Sequence, residues 1–161
     1  MSLHELSAVL WRERELLDVL LYKLEVERLL LATDRRRWLG RAAHEIEFLT
    51  ARLKEVGLAR AVESAEVAEE LQLSAEATLQ ELADAVGDEV WRDILLAHLA
   101  ALREVTGEIG ELRDANEQLL KQAARPAGLS PHAAPRRGTT TYDARGLARD
   151  VVEATLVDEE T

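Results

Sequence analysis

LHELSAVLWRERELLDVLLYKLEVERLLL, residues 3–31, carries leucine at every seventh position: Leu3, Leu10, Leu17, Leu24 and Leu31. A second row runs beside it through Leu6 and Leu20, with Glu13 and Glu27 in its other two slots. An apolar repeat of about 3.5 residues held over four heptads specifies a long helix that packs along its whole length. At about 1.5 Å per residue it reaches roughly 45 Å. Such an element presents faces to other helices and does not enclose a small substrate.

The first helix is expected from Leu3 to Ala32. Thr33-Asp34 marks a break, because either side chain can cap a new helix. Arg35-Arg36-Arg37 then fall in that helix's first turn, against its dipole, and read as a solvated face rather than a partner patch. A second stripe follows through Leu39, Ala42, Ile46, Leu49, Leu53 and Val56. After Gly57 its register fails: Arg60 and Glu63 stand where apolar residues are due, and Leu58, Val62, Ala65 and Leu71 suggest a rotated, thinner stripe. Two long stripes across a short turn predict an antiparallel hairpin. Folding back brings Glu27 near Arg41. In such a hairpin Glu13 and Glu27 sit at the edge and reach water. Charged residues are poor occupants of a tight dimer seam, so the chain is expected to be monomeric or weakly self-associating.

Thr78-Leu79-Gln80-Glu81 reads as a capping box, with Ala77 and Leu82 as a weak hydrophobic staple. Gly87 is the expected left-handed stop of this short helix, and Asp88 caps the next. The last long helix shows Trp91, Leu95, His98, Leu102, Val105, Ile109, Leu112, Asn116 and Leu119 on one stripe. It should end near Arg125, before Pro126. Gly107 and Gly110 lie off the stripe, as tolerated surface glycines or as local looseness. Beyond them Pro126, Gly128, Pro131, Pro135, Gly138 and Thr139-Thr140-Thr141 leave little to bury. The reading is an all-α protein, an antiparallel long-helix hairpin or helical bundle with a disordered C-terminal tail. Residues 1–125 form the bundle, and 126–161 a Pro/Gly-rich linker and mobile tail. Leu147, Val151, Val152 and Leu156 make a brief amphipathic pattern, too short to hold alone as a helix and suited to ordering on contact.

Composition narrows the function classes. Aromatics are 4% and charged residues 32% of 161, the profile of a bundle or coiled coil. A formal charge of -11 repels phosphate backbones, so no nucleic-acid partner is expected. There is no cysteine, hence no disulfide or thiol chemistry. No apolar run approaches the ~18 residues of a membrane span, so no membrane insertion is expected. Glu5, Arg12, Glu13 and Arg14 interrupt any secretory h-region, which leaves a cytoplasmic location.

Catalytic constellations are missing. A di-metal bundle needs paired Glu-x-x-His motifs, yet Arg41 and Leu95 stand three residues before His44 and His98. His4-Glu5 and His44-Glu45 lack a zinc helix's second histidine, since Ala8 and Phe48 occupy those positions. There is no glycine-rich phosphate loop. No enzyme activity, metal or cofactor is expected. His98 reads as a core or boundary histidine. Asn116 either specifies register or partner within the seam or simply bonds a neighbouring helix or water.

The run Leu10-Trp11-Arg12-Glu13-Arg14-Glu15-Leu16-Leu17, then Lys23-Leu24-Glu25 with Glu27, then Arg37-Trp38-Leu39 with Glu45, resembles the FlgN family of flagellar export chaperones, in its actinobacterial type. The Thr78–Leu82 segment, Trp91, the Asn116 and Leu119-Leu120 end of the last helix, and Thr141-Tyr142-Asp143-Ala144-Arg145-Gly146 fit the same pattern. No single motif is specific; the ordered set is. The resemblance implies a cytoplasmic helical chaperone without catalysis. It would hold the terminal helices of hook-associated (hook-filament junction) proteins, prevent premature assembly and deliver them to the flagellar type III export gate. By position, Leu112, Asn116, Leu119 and Leu120 would bind cargo, and Tyr142 and Arg145 would dock the gate. The chain departs from the pattern at Pro126, which cuts the last helix before the tyrosine motif. The alternative class is a structural coiled-coil scaffold that self-associates through the same stripes.

Overall fold

Glycine and proline are absent from residues 3–31, and the first helix runs without interruption. A computed structural model describes residues 2–124 and, as backbone, 140–142 and 148–150. Helix α1 spans Ser2–Ala32. It ends in a Schellman turn, with the Arg35 amide donating to Leu30 O at 2.9 Å and the Asp34 amide to Leu31 O at 3.3 Å. Asp34 holds the left-handed position, φ 53°. Thr33-Asp34 is therefore the stop of α1 rather than the cap of the next helix. Thr33 Oγ1 donates back to Leu29 O, and a single 3-10 turn, Arg36–Trp38, leads into α2 without a side-chain cap. All three arginines of that corner are exposed, as a solvated face should be.

Helix α2 spans Leu39–Glu70 and returns antiparallel to α1, clasped by the Lys23–Glu45 ion pair at 2.7 Å. Its stripe does not rotate after Gly57. Arg60, Val67 and Ala68 continue the buried face, whereas Leu58 and Val62 are exposed. The apparent failure of register is a polar stretch within one continuous face: Arg60 is buried opposite Glu13 of α1, and Glu63 is half-buried. A second Schellman turn closes α2, with Leu73 N donating to Ala68 O at 2.8 Å and Gln72 left-handed at φ 58°.

Helix α3 spans Leu79–Ala85 and begins in the expected capping box. The Glu81 amide donates to Thr78 Oγ1 at 3.2 Å, and the Thr78 amide to Glu81 Oε2 at 2.7 Å. Its stop differs from expectation. Val86 turns extended, φ −65° and ψ 123°, because its side chain enters the core. Gly87 is consequently not left-handed. Asp88 Oδ1 then receives the Val90 and Trp91 amides at the start of α4, Glu89–Ala124.

Both α2 and α4 pack chiefly on α1 rather than on each other. The fold is all-α, with long helices against one another and α1 as the shared member. Packing of α2 and α4 on α1 overturns the expectation for the two glutamates. Glu13 and Glu27 are 1% and 2% exposed, so the Leu6, Glu13, Leu20, Glu27 row is buried throughout. Glu27 also does not define the hairpin pair expected with Arg41. It faces α4 and accepts from Asn116, while Arg41 donates to Glu45 at 3.1 Å. Within the segment expected to be a tail, Thr140–Tyr142 (β1) and Ala148–Asp150 (β2) pair antiparallel, with Tyr142 opposite Ala148.

Candidate functional site

The polar residues of α1 divide its seams into three stations. At the α1–α2 station, Arg60 Nη1 donates to Glu13 Oε2 at 3.0 Å, both side chains nearly sealed from water. Burial pushes the Glu13 carboxyl above its ordinary range, more strongly than the charge and hydrogen bond of Arg60 pull it down.

Toward the start of α4, His98 is enclosed by α1. Its Nε2 lies 3.1 Å from Ser7 Oγ, and Arg14 Nη1 lies 3.4 Å from its Nδ1. An arginine can only donate, so Nδ1 must be the acceptor and Nε2 carries the proton toward Ser7. Trp11 meets the ring edge-on at 5.3 Å. Burial, and secondarily the Arg14 charge, hold the His98 pKa below its ordinary value. His98 is a core histidine.

At the far end of the same seam, Asn116 Nδ2 donates to Leu24 O at 3.0 Å and to Glu27 Oε2 at 3.1 Å. Asn116 thus bonds a neighbouring helix and fixes the height of α4 on α1. Of the residues expected to bind cargo, Leu112 and Asn116 are buried in this seam, Leu119 is half-buried at its edge, and Leu120 is 37% exposed. The four are brought to one end of α4 without forming one accessible patch. Tyr142 lies in β1, and Arg145 lies outside the described residues.

Two shallow grooves flank α1. Between α1 and α2, Val19, Phe48 and Leu49 form an apolar strip crossed by Lys23, Glu45 and His44. Hydrogen bonds from Lys23 and then Arg41 lower the Glu45 pKa, so the charges of this groove are already matched. Between α1 and α4, Trp11, Leu21, Ala101 and Val105 form a floor bordered by Glu15, Asp18, Glu104 and Glu108. Sequence reading missed this second groove, because its carboxylates look like ordinary solvated faces until two helices are juxtaposed. A further carboxylate group, Glu5, Glu63 and Glu66, gathers within 4.8 Å where α1 begins beside the end of α2. Like charges alone make no site there.

No described helix is long and apolar enough to cross a membrane. The arrangement defines an all-helical bundle whose polar side chains lock helices together, with its open features on the surface beside α1. The chain belongs to the FlgN family: the family model described as FlgN protein matches residues 1–149. FlgN is a chaperone family of flagellum biogenesis and not a family of enzymes. No curated protein and no solved structure matches the chain.

Proposed function

We propose that this chain is a cytoplasmic flagellar type III export chaperone for hook-filament junction proteins. It holds their terminal helices apart before assembly and delivers them to the export gate. The observation that carries the reading is the family match over residues 1–149. The end of α4 offers a place for cargo: Leu119 and Leu120 contact it directly, while Leu112 and Asn116 hold that end of α4 to α1. An amphipathic cargo helix laid there uses the helix-in-groove mode. Tyr142 and Arg145, an aromatic and a guanidinium of the kinds that anchor interfaces, dock the gate.

The burial pattern argues against the scaffold alternative. Leu6, Leu10 and Leu17 are fully buried and Leu20 and Leu24 nearly so, all within one chain. The heptad rows are therefore spent internally, and a permanent intermolecular coiled coil would have to unpack them. The bundle of residues 1–125 acts as a monomer, with 126–161 as its linker and tail. The test is secretion. A chain lacking residues 139–161 should still bind junction proteins yet fail to support their export, and normal export by this variant would refute the assignment of the tail.

A further inference from the structure

We propose that the groove between α1 and α4 is a second docking surface, and that its occupant is a cationic amphipathic helix of a protein partner. It lies apart from the end of α4 assigned to cargo, since Glu108 and Leu119 are separated by roughly 16 Å of helix. The proposal stands whether or not the chain carries junction proteins.

Negative charge flanks apolar area in this groove. Trp11 is 53% exposed yet fixed, one ring edge against His98 and one face under the Arg14 guanidinium at 4.4 Å. Tryptophan is among the residue types enriched at interface hot spots. On either side of the floor stand Glu15 and Asp18 from α1, and Glu104 and Glu108 from α4. Among the described residues none of these four carboxylates takes part in an ion pair or hydrogen bond. The one cation that lines the groove, Arg14, lies against His98 and Trp11, neither of which carries an opposite charge. Four carboxylates against one guanidinium thus leave the border of the apolar strip net negative. The α1–α2 groove lacks this property, because Lys23 and Arg41 neutralise its Glu45.

Spacing selects a helix as the occupant. Glu104 and Glu108 are one turn apart on one bank, Glu15 and Asp18 three residues apart on the other. A helix lying between them, with leucine-like residues on the floor, presents lysines or arginines at the same periodicity to both banks. Trp11 to Leu21 spans about 15 Å, the length of some three helical turns.

The test is fluorescence anisotropy of the full chain with a dye-labelled synthetic helix of about 14 residues, leucines on one stripe and lysines flanking it. A matched peptide with glutamates for lysines serves as control. The lysine peptide should bind and the glutamate peptide should not. Changing Glu15→Gln, Asp18→Asn, Glu104→Gln and Glu108→Gln together should weaken binding at least about tenfold, as should Trp11→Ala at unchanged helicity. Glu47→Gln, Glu69→Gln, Glu70→Gln and Glu76→Gln together change net charge equally at exposed sites outside the groove, and should leave affinity within about twofold. Equal weakening by both charge sets would reveal general attraction and overturn the proposal. So would failure of the lysine peptide to bind, or binding unaffected by the groove variants.

Discussion

Replacing Arg60 with methionine severs the buried pair with Glu13 while filling most of the vacated volume. At their 3.0 Å separation, and an effective dielectric near 20, the attraction forfeited is about 5 kcal/mol. The carboxylate remains dehydrated but has an exit, which is to bind a proton. Its ordinary pKa is 4.5, so at about pH 7.5 that protonation costs about 4 kcal/mol, and this is the ceiling of the loss. Severed buried pairs generally cost about 3–5 kcal/mol; a loss of about 3–4 kcal/mol is therefore expected. The sign with pH follows. Glu13 already titrates above 4.5 in the native state, which keeps a proton that the unfolded chain releases. Its contribution to stability thus falls as pH rises through that window. Without Arg60, neither its charge nor its hydrogen bond lowers the pKa, and the window extends upward. The loss should shrink by about 2 kcal/mol or more between pH 7.5 and pH 5. Glu13→Leu with Arg60→Met should return to within about 1 kcal/mol of the parent chain, or exceed it, because neither charge is then dehydrated. Urea denaturation followed by circular dichroism at both pH values measures all three. A single variant that loses under about 1 kcal/mol at pH 7.5, or whose loss ignores pH, would refute the reasoning.

His98 has the opposite sign. Its native pKa lies below 6.5, so the unfolded chain takes up a proton that the native seam refuses, and stability is lost as pH falls through 6.5. His98→Gln should remove that acid-side loss in the same denaturation series. Asn116→Asp places a second carboxylate against Glu27 inside the seam and should cost about 3 kcal/mol by thermal or urea unfolding, more than Asn116→Leu. Gln72→Gly relieves a left-handed backbone and should raise stability by about 1 kcal/mol. Gly57→Ala, with open space for the added methyl, should gain about 0.5–1 kcal/mol in the same assay.

The elements with local causes were legible in the sequence. The Leu3–Leu31 heptads, the Thr78 capping box and the Asp88 cap each depend on residues within a turn or two. What escaped reading depends on which helix faces which. Glu13 and Arg60 each look like a defect in a separate stripe, and only the hairpin makes them one pair. Glu27, expected at the hairpin edge near Arg41, is instead buried against α4, and its partner Asn116 comes from far along the chain. Gly87 was outweighed by Val86, whose burial ends α3 one residue sooner. At the candidate site, the seam position of Asn116 was readable from spacing, while its sealing against Leu24 O was not. The acidic border around Trp11 exists only once α1 and α4 lie side by side.

The most direct test of the chaperone reading is calorimetric titration of the full chain with the C-terminal helical segment of a junction protein from the same organism. Leu112→Asp is unsuitable, since Leu112 belongs to the core and a carboxylate there would unfold the bundle. Leu119→Asp with Leu120→Asp probes the accessible end of α4 instead. The account predicts a Kd near micromolar, about -8 kcal/mol, as suits cargo that must be released. It further predicts at least about tenfold weaker binding by the double variant at unchanged helicity. Absence of binding by any junction-protein segment, or equal affinity of the double variant, would contradict it.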